Sequence, residues 1–247
     1  QPESSAASDV YKRQQHIDAA SIRGEGAIVS YVRGNIAARQ GHLRSALTYF
    51  DEAIQIDPTH VRARLNRTSI HMANEDAQSA LDDAKVLLEL APGLALAKLR
   101  RAEANMMLSN WEEAKDDLEQ IVEDAPHHHH ALTQLASCFM AMDRPEKAEA
   151  PLNEALRLAP DHTEAWHQRG LLYLDWAQEE SALNDFEAAV RCDGNHLGAR
   201  LRIAAIHHKA ERFPEALGAW NGVLAIEPEH TVARRRREEC EMALATI

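Results

Sequence analysis

Four consecutive histidines, His127 to His130 in "EDAPHHHHALTQLA" (123–136), are the densest run of reactive side chains in the sequence. Imidazole nitrogens ligate transition metals and exchange a proton near neutral pH, so the tract is a candidate for either chemistry. The three thiols, Cys138, Cys192 and Cys240, lie far apart and lack the CxxC spacing of a zinc or redox site. An odd number of scattered cysteines gives no disulfide framework either, so a reducing, cytoplasmic compartment is the expectation. No glycine-rich phosphate loop, GxSxG elbow or HExxH metal helix occurs. The acidic residues are spread along the chain and do not converge as an acid/base pair. The expectation is a non-catalytic chain that needs no cofactor.

Composition narrows the class. Of 247 residues 45% are hydrophobic, 27% charged and only 5% aromatic, with ten glycines, a profile that suits a helical protein. No run of eighteen apolar residues is present, so no membrane-spanning helix is predicted. A net charge of −12 argues against general binding to nucleic acid or anionic membrane, both of which need a basic surface. The stretch "SSAASDVYKRQ" (4–14) resembles translated sequencing-adaptor read-through. Residues 1–26 are therefore expected to be a disordered or partly non-native segment, with the true N-terminus, and any signal peptide, missing.

The chemistry-bearing residues sit in a periodic frame. Pro58, Pro92, Pro126, Pro160 and Pro228 fall on a 34-residue ladder, with Gly194 on the remaining rung. Twelve residues before each rung stands an alanine: Ala46, Ala80, Ala114, Ala148, Ala182 and Ala216. Stretches such as "ALTYFDEAIQI" (46–56) carry apolar residues at helical spacing. A second small position, Gly34, Thr68, Ala102, Ala136, Gly170 and Ala204, lets two helices cross closely, and the proline ends the second of them. In "AWHQRGLLYLDWAQEESALNDFEAAV" (165–190), Trp166, Gly170, Tyr173, Ala182, Phe186 and Ala189 match the tetratricopeptide repeat (TPR) position by position. Gly34, Ala46, Phe50, Ala53 and Pro58 repeat the match. The chain thus resembles the TPR family over 27–230, in six repeats: 27–60, 61–94, 95–128, 129–162, 163–196 and 197–230. The resemblance implies an all-α fold, a right-handed α-solenoid of antiparallel helix pairs (the TPR superhelix), with 231–247 as a capping helix.

The frame places the histidines. The tract straddles the turn between repeats 3 and 4, and His60, His162, His196 and His230 end other repeats. Equivalent atoms of neighbouring repeats lie about 10 Å apart, whereas zinc ligands lie about 2 Å from one ion, so the ladder cannot form one site. Adjacent residues at a helix start diverge in direction. The tract is therefore read as a turn preference, with no metal. The run Arg234–Arg237 is likewise read as a solvated outer face.

The family resemblance implies a partner peptide held in a concave groove lined by the first helix of each repeat. The residues it places there include Tyr31, Asn35 and Arg39, then Arg62, Asn66, Ser69 and Met72, then Arg100, Glu103 and Met106, and finally Gln134 and Met140. The methionine stripe at 72, 106 and 140 suits varied apolar side chains, or packing between helices. A narrower resemblance is to carboxylate-clamp TPR domains of co-chaperones, which hold the C-terminal Asp of a chaperone tail. Asn35, Asn66 and Arg100 match three of the five clamp positions, while Tyr31 and Leu96 replace its two lysines. Basic residues on first helices between 27 and 101 would steer an acidic peptide there, and the acidic stretch from 103 to 193 would favour a basic one. Three functions remain open: a peptide-binding scaffold, a co-chaperone-like clamp, and a segment of a longer TPR scaffold or of an assembly or secretion protein.

Overall fold

The computed structural model describes residues 25–246. Among them all regular structure is helical: thirteen α-helices and one short 3-10 turn, with no strand. In chain order these are α1 (25–39), α2 (Leu43–Ile56), α3 (Val61–Ala73), α4 (Ala77–Leu90), α5 (Ala95–Met107), α6 (Trp111–Asp124) and α7 (His129–Ala141). The 3-10 turn Pro145–Lys147 precedes α8 (Glu149–Leu158), followed by α9 (Thr163–Asp175), α10 (Glu179–Cys192), α11 (Leu197–Lys209), α12 (Phe213–Ile226) and α13 (Thr231–Ala245). Glu25 and Gly26, assigned from sequence to the N-terminal segment, open α1 instead. The rest of that segment lies outside the described residues.

The chain divides into two compact units, with the division inside α6 between Asp117 and Leu118. In the first, α2, α3, α4 and α5 pack successively, and α3 also touches α5. In the second, each helix from α7 to α13 packs on the next, and α7 also touches α9. Short turns between packed neighbours make them antiparallel hairpins, stacked as in an α-solenoid.

The hairpin depends on close approach of its two helices. The six ladder alanines Ala46, Ala80, Ala114, Ala148, Ala182 and Ala216 are all fully buried. At Gly34 an added Cβ would come within 2.5 Å of the Phe50 ring, and at Gly170 within 2.7 Å of the Phe186 ring. Sixteen residues on from a small position stands the side chain that fills the crossing, as in Gly34 with Phe50, Thr68 with Ala84, Ala136 with Leu152 and Ala204 with Trp220.

Both helix ends are defined by backbone chemistry. Gly41, Glu75, Ser109, Asp143, Ala177 and Glu211, one per repeat, take left-handed φ values between 56° and 77°. The next amide then reaches back to the helix, as in Asp76 N–H to His71 O at 2.9 Å and Gln178 N–H to Tyr173 O at 2.8 Å. Five of the six are not glycine, at a cost of about 1–2 kcal/mol each that packing must offset. At the rungs it is the carbonyl that the next repeat uses. Pro58 O accepts from Arg64, Pro160 O from Trp166 Nε1, Gly194 O from Arg200 and Pro228 O from Arg234. Every residue has that carbonyl, which explains how glycine can stand on the fifth rung.

The recurrent histidines are helix N-caps. Nδ1 of His60, His128, His196 and His230 accepts the amide N–H of Ala63, Ala131, Ala199 and Ala233, at 3.0 to 3.2 Å. Imidazole here does the work of an Asn side chain, and accepting at Nδ1 puts the ring proton on Nε2. Leu94, the one repeat end that is not histidine, caps α5 without a side-chain bond, and His162 also makes none to α9.

Two outcomes test this account. Gly170→Ala is expected to cost about 1–3 kcal/mol by overpacking against Phe186, and Phe186→Leu to recover part of that loss. Urea denaturation of the double-mutant cycle reads it; strictly additive losses would refute the shared crossing. The second concerns His162, whose pKa is lowered by burial and then by His129 and His130. The unfolded ring binds a proton more readily than the folded one. This contribution is therefore absent well above pH 6.5, and stability falls as pH drops below it. His162→Asn should add a cap worth about 1 kcal/mol and remove that fall. The melting-temperature gap between variant and wild type should widen from pH 7.5 to 5.5.

Candidate functional site

The first helices of the first unit bring together some of the groove residues expected from sequence. Asn66 Nδ2 donates to Asn35 Oδ1 at 2.6 Å, joining α3 to α1. Arg100 Nη1 donates to Glu103 Oε2 at 2.6 Å within α5. The Tyr31 ring lies 5.0 Å from His60 and 6.2 Å from Phe50, a packing position. Ser69 Oγ donates to Leu65 O of its own helix. Met72 packs on Ala80, Leu81 and Ala104, while Met106 is half-buried and Arg39 and Arg62 are exposed. Gln134 and Met140 belong to the second unit, where the Gln134 amide lies 3.0 Å from His130 Nε2. The amide pair is the chemically distinctive feature. Its bond leaves Asn35 Nδ2 as a donor beside Asn66 Oδ1 as an acceptor, the complement of one peptide group.

The electrostatic expectation for this unit needs correction. Several arginines counted as a field for acidic peptides are neutralised inside the fold. Arg67 grips Asp83 through Nε at 2.8 Å and Nη2 at 2.5 Å and also bonds Asp51 at 2.6 Å. Arg64 bonds the same Asp83 carboxylate at 3.0 Å. Arg101 holds Asp117 at 2.7 and 2.6 Å. In the second unit Arg169 holds Asp185 at 2.7 and 2.8 Å. Asp83, Asp117 and Asp185 are all buried, and their hydrogen bonds raise the pKa of Arg67, Arg101 and Arg169 against the opposing effect of burial. These forks tie the first helix of a repeat to its second. Where they are missing, the two positions carry Arg33 with Tyr49, Leu135 with Pro151 or Ile203 with Ala219. The run Arg234–Arg237 is compensated too, by Glu229, Glu239 and Glu241.

The histidine tract is divided among local tasks. His128 caps α7, the His129 ring stacks edge-on against His162 at 4.9 Å, and His130 meets Gln134. A different constellation escaped the sequence reading. Glu164, His167 and His196 hold potential ligand atoms all within 4.8 Å of one another. The Glu164/His167 spacing of three was visible as one helix face, but His196 arrives from the following turn. Burial is outweighed by the nearby His167 and His196 imidazoles and by a hydrogen bond from Gln168 Nε2 at 2.6 Å, which leaves the Glu164 carboxyl below its usual range. A second constellation, Cys240 Sγ 3.3 Å from His208 Nδ1 with His208 Nε2 3.4 Å from Glu239, has the order of a thiol relay. Cys240 is fully buried, however, and burial pushes its thiol pKa up, the opposite of nucleophile activation. Cys138 is equally buried, and Cys192 exposed.

Family profiles described as tetratricopeptide repeat match the chain at residues 27–60, 106–169 and 163–196. No curated protein matches it in sequence. Among solved structures it is similar to pilF of Pseudomonas aeruginosa, with TM-score 0.70 and 15% identity over 90% of this chain and 99% of that one. MamA of Desulfovibrio magneticus gives TM-score 0.64 and 18% identity over 70% and 98%. YrrB, a TPR protein with an unusual peptide-binding site, gives 0.54 and 22% over 76% and 97%. At these identities the likeness is one of fold. Helix pairs that begin every thirty-four residues, close on a buried alanine and match three family profiles make this chain a member of the tetratricopeptide repeat family.

Proposed function

We propose that this chain is a non-catalytic interaction scaffold that holds an extended peptide segment on the first-helix surface of its first unit. TPR proteins act as protein-interaction scaffolds, and a peptide-binding site is named for the similar YrrB. The observation that carries the proposal is the Asn35–Asn66 pair, whose remaining donor and acceptor suit the peptide main chain. Main-chain recognition of this kind tolerates varied side chains, and Met106 and the exposed Met107 beside it offer adaptable apolar contact. The carboxylate-clamp reading fits the site less well. A clamp needs net positive charge, yet Arg100 is engaged by Glu103 and the lysine positions hold Tyr31 and Leu96. No described helix is long and apolar enough to cross a membrane. Cytoplasmic placement belongs to the same proposal, on the scattered thiols alone.

A peptide selected from a random display library on the immobilised protein tests the proposal by calorimetry. Binding should be the same for the free C-terminus and the amidated twin. Asn35→Ala/Asn66→Ala should weaken it about tenfold, the loss of one to two neutral hydrogen bonds. Dependence on the free carboxylate and on Arg100 would favour the clamp instead. Binding untouched by the asparagine changes would remove the proposed surface from consideration.

A further inference from the structure

We propose that Glu164, His167 and His196 form a binding site for one divalent transition-metal ion of the zinc class. The three residues come from two places in the repeat. Glu164 and His167 lie one turn apart on α9, and His196 is the cap residue that begins α11. The hairpin return brings the two imidazoles to 4.7 Å between centroids. His167 Nδ1 stands 3.9 Å from Glu164 Oε1, and His196 Nε2 stands 3.8 Å from Glu164 Oε2. Among the described residues this is the one group of three such donors within metal-binding range.

The distances suit an unloaded tetrahedral site. Bonds of about 2.0–2.1 Å at tetrahedral angles set ligand atoms about 3.3 Å apart, so the two His–Glu separations must close by about half an ångström, and all three ligand atoms already lie within 4.8 Å of one another. Glu164 is half-exposed and can move that far, while the two rings are mostly buried.

Two further features point the same way. His167 Nδ1 is buried and makes no hydrogen bond, and a buried imidazole nitrogen with no partner is costly. A metal ion would supply that partner. Room for the ring pair comes from Gly198, where an added Cβ would meet His167 Nε2 at 3.2 Å and His196 Cε1 at 3.4 Å. The same repeat position elsewhere carries Ile28, Arg62, Leu96, His130 or Glu164.

Two imidazoles and a carboxylate select zinc, and related nickel or copper ions, over calcium and magnesium, which prefer all-oxygen shells. Three protein ligands leave a fourth position for water. Binding has a defined competitor within the fold. His196 Nδ1 accepts the Ala199 amide at 3.0 Å, which keeps the ring proton on Nε2. When the metal takes the Nε2 lone pair, that proton moves to Nδ1 and the cap bond is lost. The exchange lowers metal affinity by up to about thirtyfold relative to an uncommitted ring.

The experiment uses the full chain, freed of metal, with His127–His130 changed to Asn so that the tract contributes nothing. Zinc is titrated calorimetrically, and cobalt is followed by its ligand-field absorbance. One ion per chain is expected. Glu164→Gln and His196→Asn should each weaken binding at least about tenfold. His196→Asn keeps a capping side chain while removing the ligand, and His230→Asn, a cap outside the cluster, should change nothing. His167 is left intact because its ring packs at 5.7 Å on Phe186. Circular-dichroism melts establish that every variant is folded. Absence of one-to-one binding, or binding indifferent to both Glu164→Gln and His196→Asn, overturns the proposal.

Discussion

The closeness of the two helices in each hairpin is the constraint on which the rest depends. An alanine with no exposed surface in every repeat lets the second helix lie almost backbone to backbone on the first. Across from the small position the partner differs in size from repeat to repeat: the Phe50 ring fills the space beside Gly34, whereas the small Ala84 stands opposite the larger Thr68. Interiors packed near crystal density tolerate redistribution of volume better than any change in its sum. Thr68 is therefore no exception to a small-residue rule, since Ala84 has given up the space.

Polar groups solve a second problem, which is fixing the angle and register of helices that hydrophobic contact alone leaves loose. The Arg67–Asp83, Arg101–Asp117 and Arg169–Asp185 forks are directional, and each leaves its buried carboxylate fully engaged. A buried ion pair adds little net stability over a well-packed apolar pair, and this chain uses both solutions at the same positions. Leu135 with Pro151 and Ile203 with Ala219 show that the repeat can dispense with the charge. Consequently a tally of arginines overstates the positive surface of the first unit. Those in forks serve the hairpin.

The period, the small positions and the rung prolines were legible from sequence because each acts through local geometry. The helix pairs follow the thirty-four-residue frame, with first helices opening at Val61, Ala95, His129, Thr163, Leu197 and Thr231. The histidine at the end of a repeat was legible as a turn preference. That its Nδ1 replaces an Asn oxygen as the cap was not, since this depends on ring orientation. The arginine forks span sixteen residues, a separation no helical period reveals. Asn35 and Asn66 were chosen by family resemblance as two independent donors. In the structure they satisfy each other in part, which changes the chemistry they present from anion grip to peptide complement. Glu164, His167 and His196 were missed because one partner is thirty-two residues away from the first.

A repeat array separates its architecture from its function with unusual clarity. Residues that recur at one position in all repeats answer to packing, capping or turn geometry, because every repeat faces the same demand. A function located at one place in the array must then come from residues that break the pattern there. Gly198 is the only glycine at its repeat position, and it stands against the one Glu/His/His cluster among the described residues. Asn35 and Asn66 meet across α1 and α3, whereas one repeat later the position of Asn66 holds Arg100, which has turned to Glu103. Departure from the repeat is thus a physical criterion for a site. It separates Arg101, whose fork recurs in other repeats, from Asn66, whose pairing does not.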